Sequence, residues 1–374
     1  MTQLHNYNHT TTQSQPQSQS QNHEDTMTSN LPKDTEGADI EVADTSTLHT
    51  IGQGFCGTVW AASETGSAFK REDGGPDRSL INDFEMHHRV IQSFRTLPTL
   101  QFQTQVPACY DFIQATNQKW WSVNHQNFPP GYTTPCNMIQ SQRIPPFSGT
   151  IRQRLIRKYC PPKIMQEIIA SDPNRDCLVR PYLGRRRTRN PHTTTSQFTA
   201  FSLRNFPLHI DQFEELGVTT HDVSQYARAM AETLAIMHWV GEIDGNDIEF
   251  VLAPPCMNPP LKIESDVLGG HSIWVLDFDL CRRMAMDSKG VEQAAAAFWG
   301  NDPYYPRPGL ERDVLWSVFG KHYLQVSETC IGIVNEPHEA ERRRALSRQF
   351  INLVEQEGNM RQMRKEKEKK ANLN

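Results

Sequence analysis

Four short segments of this chain carry residue types that can hold a phosphate chain and a divalent cation. The first is a glycine-rich loop, the second is a lysine at the end of an apolar run, and the last two are acidic. In chain order the residues are Gly52, Gly54, Gly57, Lys70, Asp244, Glu249 and Asp277. Glycine lets backbone N–H groups approach phosphate, lysine neutralises phosphate, and carboxylates bind Mg²⁺. The order therefore predicts a nucleotide phosphate site suited to phosphoryl transfer.

The glycine-rich loop is predicted to join two β-strands. β-prone runs at 48–51 and 58–62 flank it, and a third run at 67–71 ends close to Lys70. A dinucleotide-binding loop would open a helix instead, and the Gly-Lys-Ser/Thr ending of a Walker loop does not follow these glycines. We expect the loop backbone, with Val59 and Lys70 on the flanking strands, to line the nucleotide phosphates.

Lys70 needs a carboxylate partner to hold it toward phosphate. A helix predicted over 82–93 offers two candidates, of which Glu85 is the preferred partner and Asp83 the alternative. Most charged residues of this kind are solvated. The glycine-rich loop upstream is what favours a functional pair here.

Two further strands, at 106–113 and 137–144, complete a predicted five-stranded antiparallel sheet. The chain then has to leave this sheet for the remainder of the fold. The proline pair within 143–146 is one candidate for the connection, and the segment 177–184 is the other. The sequence leaves both open.

Two predicted elements in the second half of the chain position acidic residues. A helix over 222–238, with apolar residues at helical spacing and an N-cap candidate at Thr220, leads into the segment of Asp244. An apolar strand at 273–276 ends in Asp277, which we predict to bind a metal ion. A buried strand capped by an acid is the simpler interpretation of that second pattern.

Asp244 follows this helix at the place where the protein-kinase-like pattern has its catalytic Asp. That resemblance implies that Asp244 is catalytic, orienting an acceptor hydroxyl and accepting its proton. Glu249 follows five positions later, where that pattern has a metal-binding Asn, so the resemblance implies that Glu249 binds Mg²⁺. Asn246 or Asp247 could bind the metal ion instead if the loop is kinked.

This order of motifs resembles the ATP site of the protein-kinase-like fold, including small-molecule kinases of the aminoglycoside and choline type. The resemblance implies an α+β fold of two lobes. A small antiparallel β N-lobe would span 48–144, a reduced and mostly helical C-lobe 145–335, and a charged helical tail 336–374. It also implies ATP and Mg²⁺ as cofactors, Lys70 among the catalytic residues, and an acceptor of unknown identity.

Several positions depart from the kinase pattern. Glu242 and Ile243 stand where His and Arg normally precede the catalytic Asp, Glu249 replaces an Asn, and Asp279 replaces the Gly of Asp-Phe-Gly. The first alternative is therefore a catalytically inactive, pseudokinase-type module that binds a nucleotide or a protein partner. The second alternative is a zinc- or nucleic-acid-binding protein.

Composition and charge limit the other classes. Residues 1–47 are rich in Gln, Ser, Thr and Asn and are predicted to be disordered. They hold seven acids against one base, and the whole chain has 43 acidic and 38 basic residues, so the remainder is nearly neutral. Binding of nucleic acid through bulk charge is therefore disfavoured. The sequence contains no apolar run of roughly 18 residues and no apolar signal core, which predicts an intracellular protein of the cytoplasm or nucleus without membrane contact.

The eight cysteines are scattered along the chain. The closest two, Cys160 and Cys177, are 17 positions apart. Structural zinc sites draw their ligands from close pairs of Cys or His, so no structural zinc is expected. Buried, reduced thiols are the simpler interpretation.

Five short phrases resemble a fungal family built on a domain of unknown function, some of whose members carry the label zinc finger protein. They are RPYLG at 180–184, FSLRNFPL at 201–208, MHW at 237–239, DIEFVL at 247–252 and YYPRP at 304–308. The resemblance covers most of the chain from Ile51 to Tyr323. It implies no established activity.

Overall fold

The computed structural model describes residues 47–54, 56–75, 79–97, 103–187, 201–256, 262–309 and 314–371. Within these ranges the chain is a mixed α+β fold of antiparallel strands and helices. The tail that we predicted to be disordered lies outside the described residues, except for Thr47.

Strands and helices are interspersed along the described chain as far as β11, and the described elements after β11 are helices. The strands are β1 (His49–Gln53), β2 (Thr58–Ala61), β3 (Ser67–Arg71), β4 (Thr104–Gln105), β5 (Cys109–Ile113), β6 (Met138–Gln142), β7 (Val179–Tyr182), β8 (Phe206–His209), β9 (Glu249–Ala253), β10 (Ile263–Ser265) and β11 (Gly269–Leu276). The helices are α1 (Ile81–Arg95), α2 (Gln118–Asn124), α3 (Gly149–Tyr159), α4 (Met165–Ala170), α5 (Ile210–Leu216), α6 (Thr220–Ile236), α7 (Ser288–Gly300), α8 (Val314–Ile331) and α9 (Pro337–Ala371).

The first sheet has the strand order β1-β2-β3-β6-β5, and each neighbouring pair is antiparallel. These are the five strands that the sequence predicted, with ends that differ by a few residues. Val59 on β2 lies directly opposite Lys70 on β3. Because opposed residues in an antiparallel pair point to the same side, both side chains share one face of the sheet.

Helix α1 follows β3, as predicted, and packs an apolar stripe into the main core. Met86, Val90 and Phe94 are buried at helical spacing. Asp83 lies on the same buried side, whereas Glu85 is exposed. The helix thus carries one carboxylate inward, next to the first sheet.

The second sheet positions the acidic segments. Its order is β10-β11-β9-β7-β8, with β7 and β8 parallel and β4 joined to β11 in parallel. Residues 250–253 of β9 and 273–275 of β11 are continuous buried apolar runs, which is typical of strands covered on both faces. The two strands pair antiparallel with Glu249 opposite Leu276. Glu249 and Asp277 are therefore brought to the same end of the sheet.

The chain leaves the first sheet directly after β6. Arg143 is buried there and donates a hydrogen bond to Asp176 at 2.7 Å, and the N–H of Phe147 bonds the carbonyl of Cys177 at 2.9 Å. The connection is thus the segment with the proline pair, 143–146. The other candidate, 177–184, contains β7 of the second sheet and packs beside the connection.

The helical part supplies most of the main core. Helix α6 begins after Thr219, whose side chain accepts a hydrogen bond from the N–H of Asp222, so the N-cap is one residue before the predicted Thr220. Trp316, Phe319 and Tyr323 are buried on one face of α8. The first half of α9 buries apolar residues against this core, and its last turns are exposed. Among the described residues, no helix combines the length and the apolar character that crossing a membrane requires.

Candidate functional site

Lys70 joins three elements of the fold. Its Nζ lies 2.6 Å from Asp83 Oδ2 on α1 and 2.7 Å from Asp277 Oδ1, directly after β11. Burial alone would lower the pKa of Lys70, but Asp83, Asp277 and Asp279 raise this pKa well above its usual value. The ammonium is therefore charged and held between two carboxylates.

The partner of Lys70 is Asp83, the alternative candidate, and Glu85 is not brought to the site. Asp83 shares the inward face of α1 with Met86, His87 and Val90, at spacings of three, four and seven residues. Position 85 points away from this face, and Glu85 is exposed. The preference for Glu85 is corrected here because helix phase, rather than distance along the chain, decides which carboxylate reaches Lys70.

The three glycines of the glycine-rich loop differ in the space around them. At Gly57, φ is +151°, and an added Cβ would lie 2.1 Å from the carbonyl oxygen of Arg71. A Cβ at Gly54 would meet nothing within 4 Å, and one at Gly52 would meet only Val59, at 3.6 Å. Gly57 therefore serves the packing of the loop, Gly52 lies against Val59, and Gly54 faces open space.

The loop contacts the segment that follows β11. The thiol of Cys56 donates a hydrogen bond to Asp279 Oδ2 at 2.8 Å. Burial and then the contact with Asp279 raise the pKa of this thiol to about 12. Cys56 is thus a neutral donor that ties the loop to the acidic segment.

Asp244 is buried and fully engaged in hydrogen bonds. Its Oδ1 accepts from the N–H groups of Arg282 at 2.9 Å and Asn246 at 3.1 Å. Its Oδ2 accepts from Arg282 Nε and from Gln293 Nε2, both at 2.8 Å. No part of the Asp244 side chain is exposed. This placement argues against the predicted catalytic role, because a general base has to reach the acceptor hydroxyl.

Asp247 is the exposed acid of this segment. Its backbone is left-handed, with φ of +61°, and its N–H donates to Asn301 Oδ1 at 2.6 Å. Burial first, and then Asp277 and Asp279, raise the pKa of Asp247. The sequence analysis considered Asp247 only as a spare metal ligand. The Gly-Asn-Asp run, which favours left-handed turns, was the available signal for a kink that turns this residue outward.

Glu249 lies at the start of β9 and is paired with Arg180 of β7. The Arg180 guanidinium donates a hydrogen bond to Glu249 Oε1. Burial raises the pKa of Glu249 to about 7; Arg180 opposes this shift and Asp277 adds to it. Glu249 therefore lies within electrostatic range of Asp277.

Asp277 adopts a left-handed backbone conformation with φ of +64°, which is costly for a residue other than glycine. The next residue, Phe278, donates its N–H to Asp83 Oδ1 at 3.2 Å and packs its ring 5.1 Å from that of His87. These contacts fix the turn after β11. The Asp277 side chain remains 29% exposed.

The site is strongly acidic. Lys70 and Arg180 are its cations, and its acids are Asp83, Asp247, Glu249, Asp277, Asp279 and Asp302. In the described parts of the chain, no three Asp, Glu, His or Cys residues are grouped closely enough to hold a metal ion alone. Mg²⁺ typically uses one or two carboxylates together with substrate phosphates, so this arrangement fits Mg²⁺ carried in with a nucleotide.

One family model matches part of the chain. It carries the description "DUF3669: Zinc finger protein" and covers residues 273–334, from within β11 to the end of α8. This stretch, which includes Asp277 and Asp279, is therefore similar to a domain of unknown function. No curated protein matches the chain.

The zinc label of that family does not fit the donors of the matched segment. Its Cys and His residues are Cys281, His322 and Cys330. Both cysteines are completely buried, and burial raises the pKa of the Cys281 thiol well above its usual value and that of Cys330 to about 12. A structural zinc site takes four Cys or His ligands, and the matched segment holds three such residues. Zinc therefore has no part in the function that we propose.

Proposed function

We propose that this chain binds ATP with Mg²⁺ and transfers a phosphoryl group to an acceptor hydroxyl, on a protein-kinase-like fold. The observation that carries the proposal is the position of Lys70 between Asp83 and Asp277. A lysine on the third strand, a carboxylate on the next helix and an acid after a later strand are the groups that such an ATP site needs in contact.

The topology supports the same proposal. A five-stranded antiparallel sheet carries a helix after its third strand, and the chain then passes through 143–146 to a larger, mostly helical part. The glycine-rich loop joins β1 and β2, with open space at Gly54. A nucleotide bound under this loop would place its phosphates near Lys70.

Acidic residues would bind the metal ion and act as the general base. Asp277 and Glu249, at one end of the second sheet, would hold Mg²⁺, whose charge would offset the excess of acids. Asp247, rather than Asp244, would orient the acceptor hydroxyl and accept its proton, because Asp247 is exposed. Asp247 also lies within electrostatic range of Asp277 and Asp279, whose charges raise its pKa. Asn301 would keep Asp247 in place, because the side-chain Oδ1 of Asn301 accepts the backbone N–H of Asp247 at 2.6 Å.

A second candidate is a catalytically inactive module that binds a nucleotide. The engagement of Asp244 by Arg282 and Gln293 favours this candidate, since the residue in the usual catalytic position cannot act. Both candidates share the nucleotide site. They differ only in whether Asp247 supports turnover.

A thermal-shift titration with ATP, with and without Mg²⁺, tests the shared site. A ligand that binds only the folded state raises its melting temperature. We expect Mg-ATP to stabilise the wild type, and Lys70→Ala and Asp277→Ala to remove the shift, whereas the control Glu85→Ala keeps it. The proposal fails if a folded wild type shows no shift at millimolar Mg-ATP. Phosphate transfer by the wild type that is lost in Asp277→Ala would then identify an enzyme. A wild type that binds Mg-ATP without transferring phosphate would be the inactive module.

A further inference from the structure

Arg180 is the second cation of the site, and it contacts two acids. Its guanidinium bonds Glu249, and its Nη1 lies 3.7 Å from Asp302 Oδ2. Asp302 is fixed in turn by the hydroxyl of Tyr182, which donates at 2.6 Å. Arg180 and Tyr182 both belong to β7, so this rigid strand sets the position of the guanidinium.

Arg180 and Glu249 are tied to each other by burial. Only 19% of the Arg180 side chain and 22% of the Glu249 side chain are exposed. The Nε atom of Arg180 is shielded from solvent and has no hydrogen-bond acceptor within the described chain. Removing Arg180 would leave the Glu249 carboxylate desolvated and unpaired, and removing Glu249 would leave Arg180 with the more distant Asp302. Either single change therefore costs more than removing both charges.

The ion pair bears on the departure from the kinase pattern at position 249. The resemblance places a neutral Asn there, whose amide oxygen binds metal without adding charge. A carboxylate adds one negative charge at that position, opposite Leu276 and next to Asp277. The Arg180 guanidinium cancels this charge.

We propose that Arg180 is a positioning residue that holds Glu249 as one half of a neutral pair, and that the pair replaces the neutral amide at the Mg²⁺ site. The inference rests on the proposed function. It assigns a role to the RPYLG segment at 180–184, which the predicted ATP site does not use. Arg180 thereby sets the affinity of the site for Mg²⁺.

The test is a double-mutant cycle on the full chain with two neutral, similarly shaped replacements. Thermal shift at fixed ATP gives the Mg²⁺ concentration for half-maximal stabilisation in wild type, Arg180→Gln, Glu249→Gln and the double variant. Glu249→Gln leaves the Arg180 charge beside the metal ion, so the midpoint should rise by about tenfold. Arg180→Gln leaves the Glu249 carboxylate uncompensated, so the Mg²⁺ midpoint should fall by about tenfold. The double variant restores neutrality and should return to within about threefold of wild type.

A matched control and a second readout keep the outcomes apart. Arg186→Gln removes another Arg–Glu ion pair, 2.6 Å from Glu214 and more exposed, and should leave the Mg²⁺ midpoint unchanged. Urea unfolding without nucleotide measures the same cycle for stability alone. If urea unfolding shows coupling between Arg180 and Glu249, but the two single variants do not shift the Mg²⁺ midpoint in opposite directions, the pair is purely structural. This result would overturn the inference.

Two further results would count against the inference in different ways. A double variant that binds Mg²⁺ as weakly as Glu249→Gln would show that Glu249 acts as a charged ligand without help from Arg180. A wild type that shows no Mg-ATP shift would remove the proposed function and the metal role of Arg180 together. The urea cycle would then still report whether the ion pair forms.

Discussion

Asp83 on α1 holds two different parts of the site with its two carboxylate oxygens. Oδ2 binds the ammonium of Lys70 at 2.6 Å, and Oδ1 accepts the N–H of Phe278 at 3.2 Å. One buried carboxylate thus couples β3 to the turn that follows β11. The position of helix α1 and the orientation of Asp277 are consequently linked.

Asp83→Asn should weaken nucleotide binding more than any other isosteric change on α1. An amide keeps the shape and can still accept from Phe278, but it loses the charge that holds Lys70. We expect the apparent ATP affinity to fall by about tenfold or more, and the free energy of unfolding to fall by about 1–3 kcal/mol. Thermal shift and urea unfolding measure the two effects. Glu85→Gln is the control, and equal effects of both variants would contradict this role of Asp83.

Asp247→Asn and Asp244→Asn should separate catalysis from stability. Asp247 is exposed, so its substitution should leave the free energy of unfolding within about 0.5 kcal/mol of wild type and reduce phosphate transfer by about 100-fold or more. Asp244 is buried with four hydrogen bonds, so Asp244→Asn should destabilise the chain by about 2–4 kcal/mol. Nucleotide hydrolysis and urea unfolding are the measurements.

The opposite pattern would restore the original interpretation of this segment. If Asp244→Asn folds normally and abolishes transfer while Asp247→Asn retains it, Asp244 is the base and its engagement with Arg282 must be broken during turnover. If neither substitution changes a measurable rate, Asp247 has no catalytic role. A wild type without turnover that still binds Mg-ATP would support the inactive module.

Local patterns were sufficient to predict part of the fold, namely the first sheet, β11 and the helices α1 and α6. Alternating β-prone runs separated by Gly-containing turns gave the five strands of the first sheet, and the apolar stripe of α6 gave that helix almost to its ends. Trp316, Phe319 and Tyr323 also lie at helical spacing in the sequence, and α8 buries them on one face. These signals depend on neighbours in sequence.

The candidate site was predicted less completely, because its geometry depends on contacts between residues far apart in the chain. A motif search cannot distinguish Asp83 from Glu85 as the partner of Lys70. The phase of α1 relative to the core decides which of the two points inward. Asp244 and Asp247 are three positions apart, and a left-handed residue at Asp247, together with the bonds from Arg282, decides which one is buried. Arg180 has no sequence signal as a site residue, since its contact with Glu249 comes from strand pairing.

Gly57→Ala should destabilise the chain, whereas Gly54→Ala should not. A Cβ at position 57 would lie 2.1 Å from the carbonyl oxygen of Arg71 and 2.4 Å from Asp73 Oδ1, so backbone would have to move. We expect a loss of about 2–4 kcal/mol in the free energy of unfolding. Gly54→Ala meets nothing within 4 Å and should change stability by less than about 1 kcal/mol. Comparable losses from both substitutions in urea unfolding would show that the loop packs differently.

Glu232 on α6 should make stability depend on pH in a recognisable direction. It is buried, and its Oε1 accepts the N–H of Gln103 at 3.1 Å. Burial raises the pKa of Glu232 from 4.5 to about 7, although the backbone hydrogen bonds of Gln103 and Thr104 oppose this shift. Between these two values the folded chain keeps the proton and the unfolded chain releases it. The contribution of Glu232 to stability is therefore complete below pH 4.5 and is lost as the pH rises through about 7.

Glu232→Gln should remove this loss, because the amide is neutral at every pH and can still accept from Gln103. We expect the two chains to be similarly stable near pH 4.5 and the variant to be more stable by about 2–3 kcal/mol at pH 8. His238 is buried and its pKa is lowered to about 4, so its contribution to the stability of the chain is lost as the pH falls. Because both chains contain His238, this contribution cancels in the difference between them. Urea unfolding at several pH values measures that difference. A difference that stays constant from pH 4.5 to pH 8 would show that Glu232 is ionised in the folded chain throughout and is stabilised by a partner other than these backbone groups.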